Sequence, residues 1–179
     1  QQLMQELLLG AGSNRTRKLV YGGRTEWSGL VTLDMNADHK PDVVWDLEQR
    51  PLPFEDNTFD TISAFEVLEH IGRQGDWRSF FEEWAEYWRI LKPGGLFLGT
   101  SPHWQSPWAW GDPGHVRVVT AESFVFLHQP AYTAQVGITP MTDYRFCYKA
   151  DFDVIHLHVN EVQQQEYVLR AIKPSRIAA

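Results

Sequence analysis

The strongest structural signal in the sequence is a long amphipathic helix between two short apolar segments. Aromatic and aliphatic side chains recur from Trp77 to Leu91 with the spacing of one helical face, and Asp76 precedes them as a candidate N-cap. Lys92-Pro93-Gly94-Gly95 then predicts the end of the helix and a turn. The flanking segments, 59–65 and 96–100, have the composition of buried strands. This order predicts a βαβ unit with two parallel strands.

Short apolar segments of the same kind occur along the rest of the chain. They alternate poorly between apolar and polar residues, which is typical of a parallel sheet covered on both faces. The predicted strands are 5–9, 30–34, 42–46, 59–65 and 96–100, followed by 152–159 and 166–173. Between them, 101–114 reads as a loop, Thr120 as the cap of a helix that runs to about His128, and 129–143 as irregular. We therefore predict one α/β domain over residues 1–179.

Composition restricts the class of partner. The chain has 179 residues with 23 acidic and 16 basic side chains, so its formal net charge is -7. This acidity argues against tight binding to a nucleic-acid backbone. Cys147 is the only cysteine, which excludes an internal disulfide and a cysteine-rich zinc site and fits a reducing, cytoplasmic compartment. No apolar run approaches the roughly 20 residues of a membrane helix, so we predict no membrane association.

Three successive predicted strands end in residues that a nucleoside could use. Gly10-Ala11-Gly12 follows the first strand, and glycines there let a ligand approach the backbone closely. Asp34 ends the second strand, 22 residues after Gly12, where a carboxylate can accept hydrogen bonds from a ribose diol. Asp46 ends the third and could accept from an adenine amine, with Leu47 against the ring. Each feature alone fits an ordinary turn, but together they predict a ligand site beyond the carboxyl ends of the strands.

The sequence resembles the class I S-adenosylmethionine-dependent methyltransferases, in particular the type 11-like methyltransferase domain. The residues that carry this resemblance are Asp46-Leu47, the stretch PLPFEDNTFDTI at 51–62, EVLEHI at 66–71 and LKPGG at 91–95, in the order and spacing of the family. The match spans about residues 7–102, and GHVRVVTAESF at 114–124 is a weaker echo.

The resemblance implies a Rossmann-like, doubly wound, seven-stranded and mostly parallel sheet that ends in an antiparallel strand pair. It also implies S-adenosylmethionine as cofactor. The cofactor-binding part would span about 5–100, a substrate-side loop and helix about 101–145, and the last strand pair about 150–173. Gly10, Ala11 and Gly12 would lie against the amino-acid and ribose portions of the cofactor, and Asp34 would bind the ribose hydroxyls. Met35 would pack on the adenine, and Asp46 and Leu47 would contact the edge of the adenine. Phe65 and Glu66 would face the methionine portion and the methyl group.

The segment after the glycine motif departs from the family pattern. Gly22-Gly23 follows so soon that the family's first helix is predicted to be short or replaced by a loop, which leaves the cofactor more open. A partner or a second copy could then cover the site. A nicotinamide dinucleotide site is disfavoured, because its G-x-G-x-x-G fingerprint needs glycine where this chain has Arg15.

The sequence contains no catalytic triad, and methyl transfer from a sulfonium does not require one. If the acceptor must lose a proton, His103 and His115 are the candidate bases, with His70 as a further possibility. His156 and His158 alternate on one strand without a third ligand in view, so no metal site is predicted.

Two further groups of residues allow both a functional and a structural interpretation. Trp104, Trp108 and Trp110 form either an aromatic lid over a substrate or anchors that fix a loop to the core. The basic stretch of Arg15, Arg17, Lys18 and Arg24 favours a solvated loop, with contact to the cofactor carboxylate or to an anionic substrate as the alternative.

The sequence therefore predicts an S-adenosylmethionine-dependent methyltransferase. The acceptor is predicted to be a small molecule or a group on a protein or glycan, because the Asn/Asp-Pro-Pro-Tyr/Phe motif of amino-methylating DNA enzymes is absent and Cys147 does not follow a proline. The alternative is a non-catalytic scaffold or partner subunit that binds the cofactor.

Overall fold

The computed structural model describes residues 3–178, in which seven strands form one sheet. Its strand order is β3-β2-β1-β4-β5-β7-β6. Neighbours among the first five strands pair in parallel, whereas β7 is antiparallel to β5 and to β6. The strands are β1 Glu6–Leu9, β2 Leu30–Asp34, β3 Val43–Val44, β4 Phe59–Phe65, β5 Leu91–Pro102, β6 Phe152–Val159 and β7 Gln164–Ala171. The predicted sheet, with its antiparallel C-terminal pair, is confirmed.

Three α-helices connect the strands. They are α1 Trp77–Ile90, α2 Pro107–Gly111 and α3 Gln129–Gln135, and 3-10 turns cover Ala37–His39, Leu68–His70 and Ala121–Leu127. The Asp76 carboxylate caps α1 by accepting from the Ser79 N–H, and the Thr120 hydroxyl caps its 3-10 turn in the same way from Ser123. Within residues 3–178, no helix has the length and apolar composition that crossing a membrane requires.

The predictions for 101–114 and 129–143 were wrong in part, because these segments contain α2 and α3. Each is only one or two turns long, and a helix of that length is set by tertiary packing more than by propensity. Tyr132 of α3 is fully buried and donates to the Phe126 carbonyl, whereas α2 has a Ser106 cap and a proline in its first turn. Neither feature gives a long periodic pattern in the sequence.

The turn predicted between α1 and the fifth strand is also corrected. β5 begins directly at Leu91, and residues 92–95 lie within the strand. Phe59 pairs with Leu91 and Thr61 with Leu96, so the extra residues form a bulge against β4. Gly94 in this bulge has a φ of 79°, a conformation that favours glycine. Residues 92–95 therefore bend β5 and do not form a separate turn between α1 and β5.

The two faces of the sheet are covered differently. Leu7 and Leu9 of β1 face the larger core, where α1 contributes the fully buried Trp84. Leu8 faces a smaller cluster on the opposite side, which is covered by Leu19 and other residues of the segment between β1 and β2. That segment contains no helix, as the early glycines predicted.

A buried carboxylate attaches this segment to the sheet. Glu6 of β1 is fully buried and accepts from Arg17 at 2.7 Å, Arg24 at 3.1 Å, the Ser28 N–H at 2.7 Å and the Thr61 hydroxyl at 3.0 Å. Burial opposes ionisation, but the hydrogen bonds led by Arg17 outweigh it and lower the pKa of Glu6. The segment 10–29, hereafter the β1–β2 loop, is therefore attached to the sheet by ion pairs and a hydrogen bond to Glu6.

We expect Glu6→Gln to lower the free energy of unfolding by about 3 kcal/mol at pH 7, because it leaves the buried guanidinium of Arg17 without a counter-charge. The measurement is urea unfolding, with the exposed Glu26→Gln of the same loop as control. Because the folded-state pKa of Glu6 is lowered, its contribution is present above pH 4.5 and is lost as the pH falls through the folded value. The gap between wild type and Glu6→Gln should therefore close at acid pH, and a gap that is absent at pH 7 would contradict the role of Glu6.

Candidate functional site

The turn after β1 has a backbone that only glycine adopts easily. Gly10 and Gly12 have φ angles of 56° and 57°. A methyl group added to Gly10 would lie 2.6 Å from Cγ2 of Val67, so this position also lacks room for a side chain. The Ala11 N–H donates to the Leu33 carbonyl at 3.1 Å, which joins the turn to the end of β2. The predicted glycine motif thus lies at the carboxyl ends of β1 and β2 with its backbone exposed to a ligand.

Asp34 fixes the same turn from the neighbouring strand. Its Oδ2 accepts from the Gly12 N–H at 2.8 Å and its Oδ1 from the Asn36 N–H at 2.8 Å, while His39 Nδ1 lies 3.3 Å from Oδ2. Burial raises the pKa of Asp34, but the hydrogen bonds from Asn36 and Gly12 dominate and hold it below its ordinary value. The carboxylate is ionised, and its remaining lone pairs could accept from a ligand hydroxyl.

A cavity of about 290 Å³ opens over this turn. Four of the residues predicted to bind cofactor line it, namely Gly10, Ala11, Gly12 and Phe65. Sequence reasoning did not assign Ser13, Asn14, Thr16 and His39, which also line the cavity, and it named Lys18 only as an alternative within the basic stretch. Its volume is close to the lower end of the range of about 300–1,000 Å³ for small-molecule sites.

The arginines of the basic stretch have partners within the protein, whereas its lysine is exposed to a ligand. Arg17 and Arg24 bind Glu6, and Arg15 donates to the carbonyls of His39 and Lys40. Lys18, in contrast, is exposed at the cavity. The solvated-loop interpretation therefore fails for the arginines, and Lys18 alone has the position to meet a ligand carboxylate. Its place in a basic stretch was the only signal in the sequence.

The other five predicted cofactor residues, Asp34, Met35, Asp46, Leu47 and Glu66, lie outside the cavity lining. Met35 is 71% exposed next to Asp34. Asp46 is exposed and its Oδ1 accepts from the Glu48 N–H at 2.9 Å, as in an ordinary turn. Leu47 is buried in the larger core and has little surface to offer.

Glu66 combines an unusual backbone with an unusual charge environment. Its φ is 59°, and its N–H donates to the Thr100 carbonyl at 2.8 Å, while Gln164 Nε2 donates to its Oε1 at 2.6 Å. A left-handed conformation costs a residue other than glycine about 1–3 kcal/mol. Burial, and then the neighbouring Glu69 carboxyl, raise the pKa of Glu66 to about 8. Burial raises the pKa of Glu69 as well.

The two histidines predicted as bases have different surroundings. His103 is half-buried after β5, and its Nδ1 accepts from the Gln105 N–H at 3.3 Å, so its other ring nitrogen carries the proton in the neutral form. His115 packs edge-on against His70 with ring centroids 4.7 Å apart. Neither lines the glycine-turn cavity. No metal was predicted, yet His70, His115 and Glu69 lie together.

The three tryptophans of the 103–111 segment are largely exposed. Trp104, Trp108 and Trp110 are 48%, 71% and 69% exposed, so they do not anchor the loop in the core. The Trp110 indole N–H donates to the Trp104 carbonyl at 2.8 Å, which holds the group together. This geometry argues against the anchor interpretation, and the aromatic lid over a substrate stays a prediction.

Comparison with known proteins finds methyltransferases. Residues 27–99 match the family model described as a methyltransferase domain. An S-adenosylmethionine-dependent methyltransferase from Mesorhizobium loti shares 14% identity, with 93% of this chain and 90% of that chain covered and a TM-score of 0.54. A second, from Archaeoglobus fulgidus, shares 16% identity over 95% and 86% with a TM-score of 0.55. The N-methyltransferase NodS from Bradyrhizobium japonicum shares 15% over 96% and 87% with a TM-score of 0.54.

The chain has the fold of a class I methyltransferase domain. The resemblance stated from the sequence is thereby confirmed, since the family match lies within it and the structural similarity extends along almost the whole chain. No curated protein matches the sequence. In this methyltransferase fold the glycine turn, Asp34 and Glu66 occupy the ends of β1, β2 and β4.

Gly10→Ala tests how tightly the glycine turn is packed. We expect it to lower the free energy of unfolding by about 1–3 kcal/mol more than Gly22→Ala does, because both positions have positive φ but only Gly10 is crowded by Val67. Chemical unfolding of both variants measures the difference. Equal destabilisation would show that φ alone, and not the contact with Val67, requires glycine.

Proposed function

We propose that this protein binds S-adenosylmethionine in the glycine-turn cavity and transfers its methyl group to an acceptor. The observation that carries this proposal is the hydrogen bond that joins Asp34 to the Gly10–Gly12 turn, because this turn lines a cavity together with Lys18. A carboxylate suits the ribose hydroxyls, exposed backbone suits close approach, and a lysine suits the carboxylate of the amino-acid portion. The family match and the fold support the same cofactor.

The chemistry of methyl transfer indicates what the protein must contribute. The sulfonium carries a positive charge that is lost as its bond to the methyl group breaks and the acceptor forms the new bond. The cofactor supplies this reactivity, so the protein's contribution is to bind, to orient and to exclude water. Phe65 at the cavity wall can exclude water, and Glu66 lies next to it at the end of β4.

Met35→Ala tests the cofactor site with little risk to the fold. Because Met35 is 71% exposed, we expect unchanged thermal stability, whereas affinity for S-adenosylmethionine and S-adenosylhomocysteine should fall several-fold as the adenine loses about one apolar side chain of contact. Ile138→Ala, at a position that is 78% exposed and away from the cavity, is the matched control. Isothermal titration calorimetry measures both.

Asp34→Asn tests the charge at the end of β2. We expect a loss of tenfold or more in affinity, since hydrogen bonds to a charged group contribute about 1.5–3 kcal/mol. Asp38→Asn, at an exposed position of the following turn, should bind as wild type does. If wild-type protein binds neither compound at millimolar concentration, the proposed cofactor site is wrong.

The acceptor we propose is a small molecule or a group on a protein or glycan. Its assay is release of S-adenosylhomocysteine in the presence of phenols, primary amines or saccharides. The second candidate is a non-catalytic subunit that binds the cofactor. The β1–β2 loop favours this candidate, because it contains no helix and so leaves that side of the site open. Cofactor binding without transfer to any acceptor class would support this candidate. Turnover would exclude it.

A further inference from the structure

A buried carboxylate without a hydrogen-bond donor lies beside the proposed methyl-transfer site. Glu69 is 2% exposed, and neither of its carboxylate oxygens has a hydrogen-bond partner among residues 3–178. The guanidinium of Arg117 is committed elsewhere, to the Leu68 carbonyl and to both oxygens of Glu83. A buried charge in this state is costly unless a cation or a proton compensates it.

Two histidines are held next to this carboxylate. One ligand atom each from Glu69, His70 and His115 lie within 4.8 Å of one another. The two chain segments that supply them are joined by the Val116 N–H, which donates to the Glu69 carbonyl at 2.9 Å. The cluster therefore depends on backbone pairing as well as on side-chain packing.

Hydrogen bonds to backbone carbonyls determine which ring nitrogen of His70 and of His115 carries the hydrogen. His70 Nδ1 lies 3.1 Å from the Gly114 carbonyl oxygen, and His115 Nδ1 lies 2.7 Å from that of Trp108. A carbonyl oxygen only accepts, so each Nδ1 carries the hydrogen and each neutral ring keeps an unprotonated Nε2. This is the outer contact that orients histidines in metal sites.

We propose that Glu69, His70 and His115 bind a divalent transition-metal ion such as Zn²⁺. One carboxylate and two imidazoles suit such ions, and three protein ligands leave a position open. The cation would compensate the charge of Glu69 and weaken its repulsion with Glu66. If the proposed function holds, the open position would bind an oxygen or nitrogen of the methyl acceptor close to the end of β4.

The experiment uses tag-free, EDTA-treated protein titrated with Zn²⁺ in equilibrium dialysis and with Co²⁺ in visible absorption. We expect one ion per chain. Glu69→Gln, His70→Gln and His115→Gln should each weaken binding by about tenfold or more, because changes even in the outer shell cost about 10–100-fold. His158→Gln, an exposed histidine on β6, should bind as wild type does.

Thermal unfolding separates a metal ligand from a merely structural carboxyl group. Zn²⁺ should raise the melting temperature of wild type but not of Glu69→Gln, which should itself fold because it removes a buried charge that lacks a donor. Asp112 Oδ2 lies 3.6 Å from His115 Nε2, so a simple imidazolium–carboxylate pair is the competing arrangement.

The proposal is overturned if neither ion binds with one-to-one stoichiometry, or if binding survives all three substitutions. Calorimetry with S-adenosylmethionine on the same metal-free samples reports on the cofactor site alone. Cofactor binding without metal binding would overturn only the metal proposal, and metal binding without cofactor binding would overturn only the proposed function.

Discussion

The arrangement of the proposed site depends on the ion pairs that Glu6 forms with Arg17 and Arg24. Glu6 lies in the middle of the sheet, on the strand between β2 and β4, and it binds two arginines of the β1–β2 loop. A buried ion pair is weak evidence for stability in general, but loss of one partner leaves a charge without compensation. Here the ion pair determines the position of the β1–β2 loop, because it holds this helix-free segment against the second face of the sheet.

Several features of the proposed cofactor site follow from that attachment. Once the loop is held on the sheet, the Gly10–Gly12 turn meets Asp34, and Lys18 reaches the cavity while its neighbouring arginines are occupied. Among residues 3–178, the proposed site thus combines a glycine turn of positive φ, the carboxylate of Asp34 and the exposed Lys18. A helix in the same place would present a fixed row of N–H groups at its N-terminus instead.

The carboxyl ends of β4 and β5 show a different balance of charge. Glu66 and Glu69 are adjacent, and the pKa of Glu66 is raised to about 8. Gln164 donates to Glu66, whereas within residues 3–178 the carboxylate oxygens of Glu69 have no hydrogen-bond partner. An imbalance of this kind is common where a ligand or ion completes the set, since folded chains otherwise satisfy their buried polar groups. The exposed tryptophans beside it form the rim of the same end of the sheet.

The sequence by itself determined the sheet, the long helix and the glycine turn. These depend on local patterns: apolar runs in 30–34 and 59–65, the 3.6-residue period from Trp77 onward and glycines where φ is positive. Only the tertiary structure decided that Arg17 binds Glu6 while Lys18 faces a cavity, that Leu47 is buried in the core, and that His115 meets Glu69 from a segment more than forty residues away. The reason is physical, because contacts between distant segments depend on how the sheet brings the ends of its strands together. Residue type and spacing along the chain do not indicate which of several similar side chains makes such a contact.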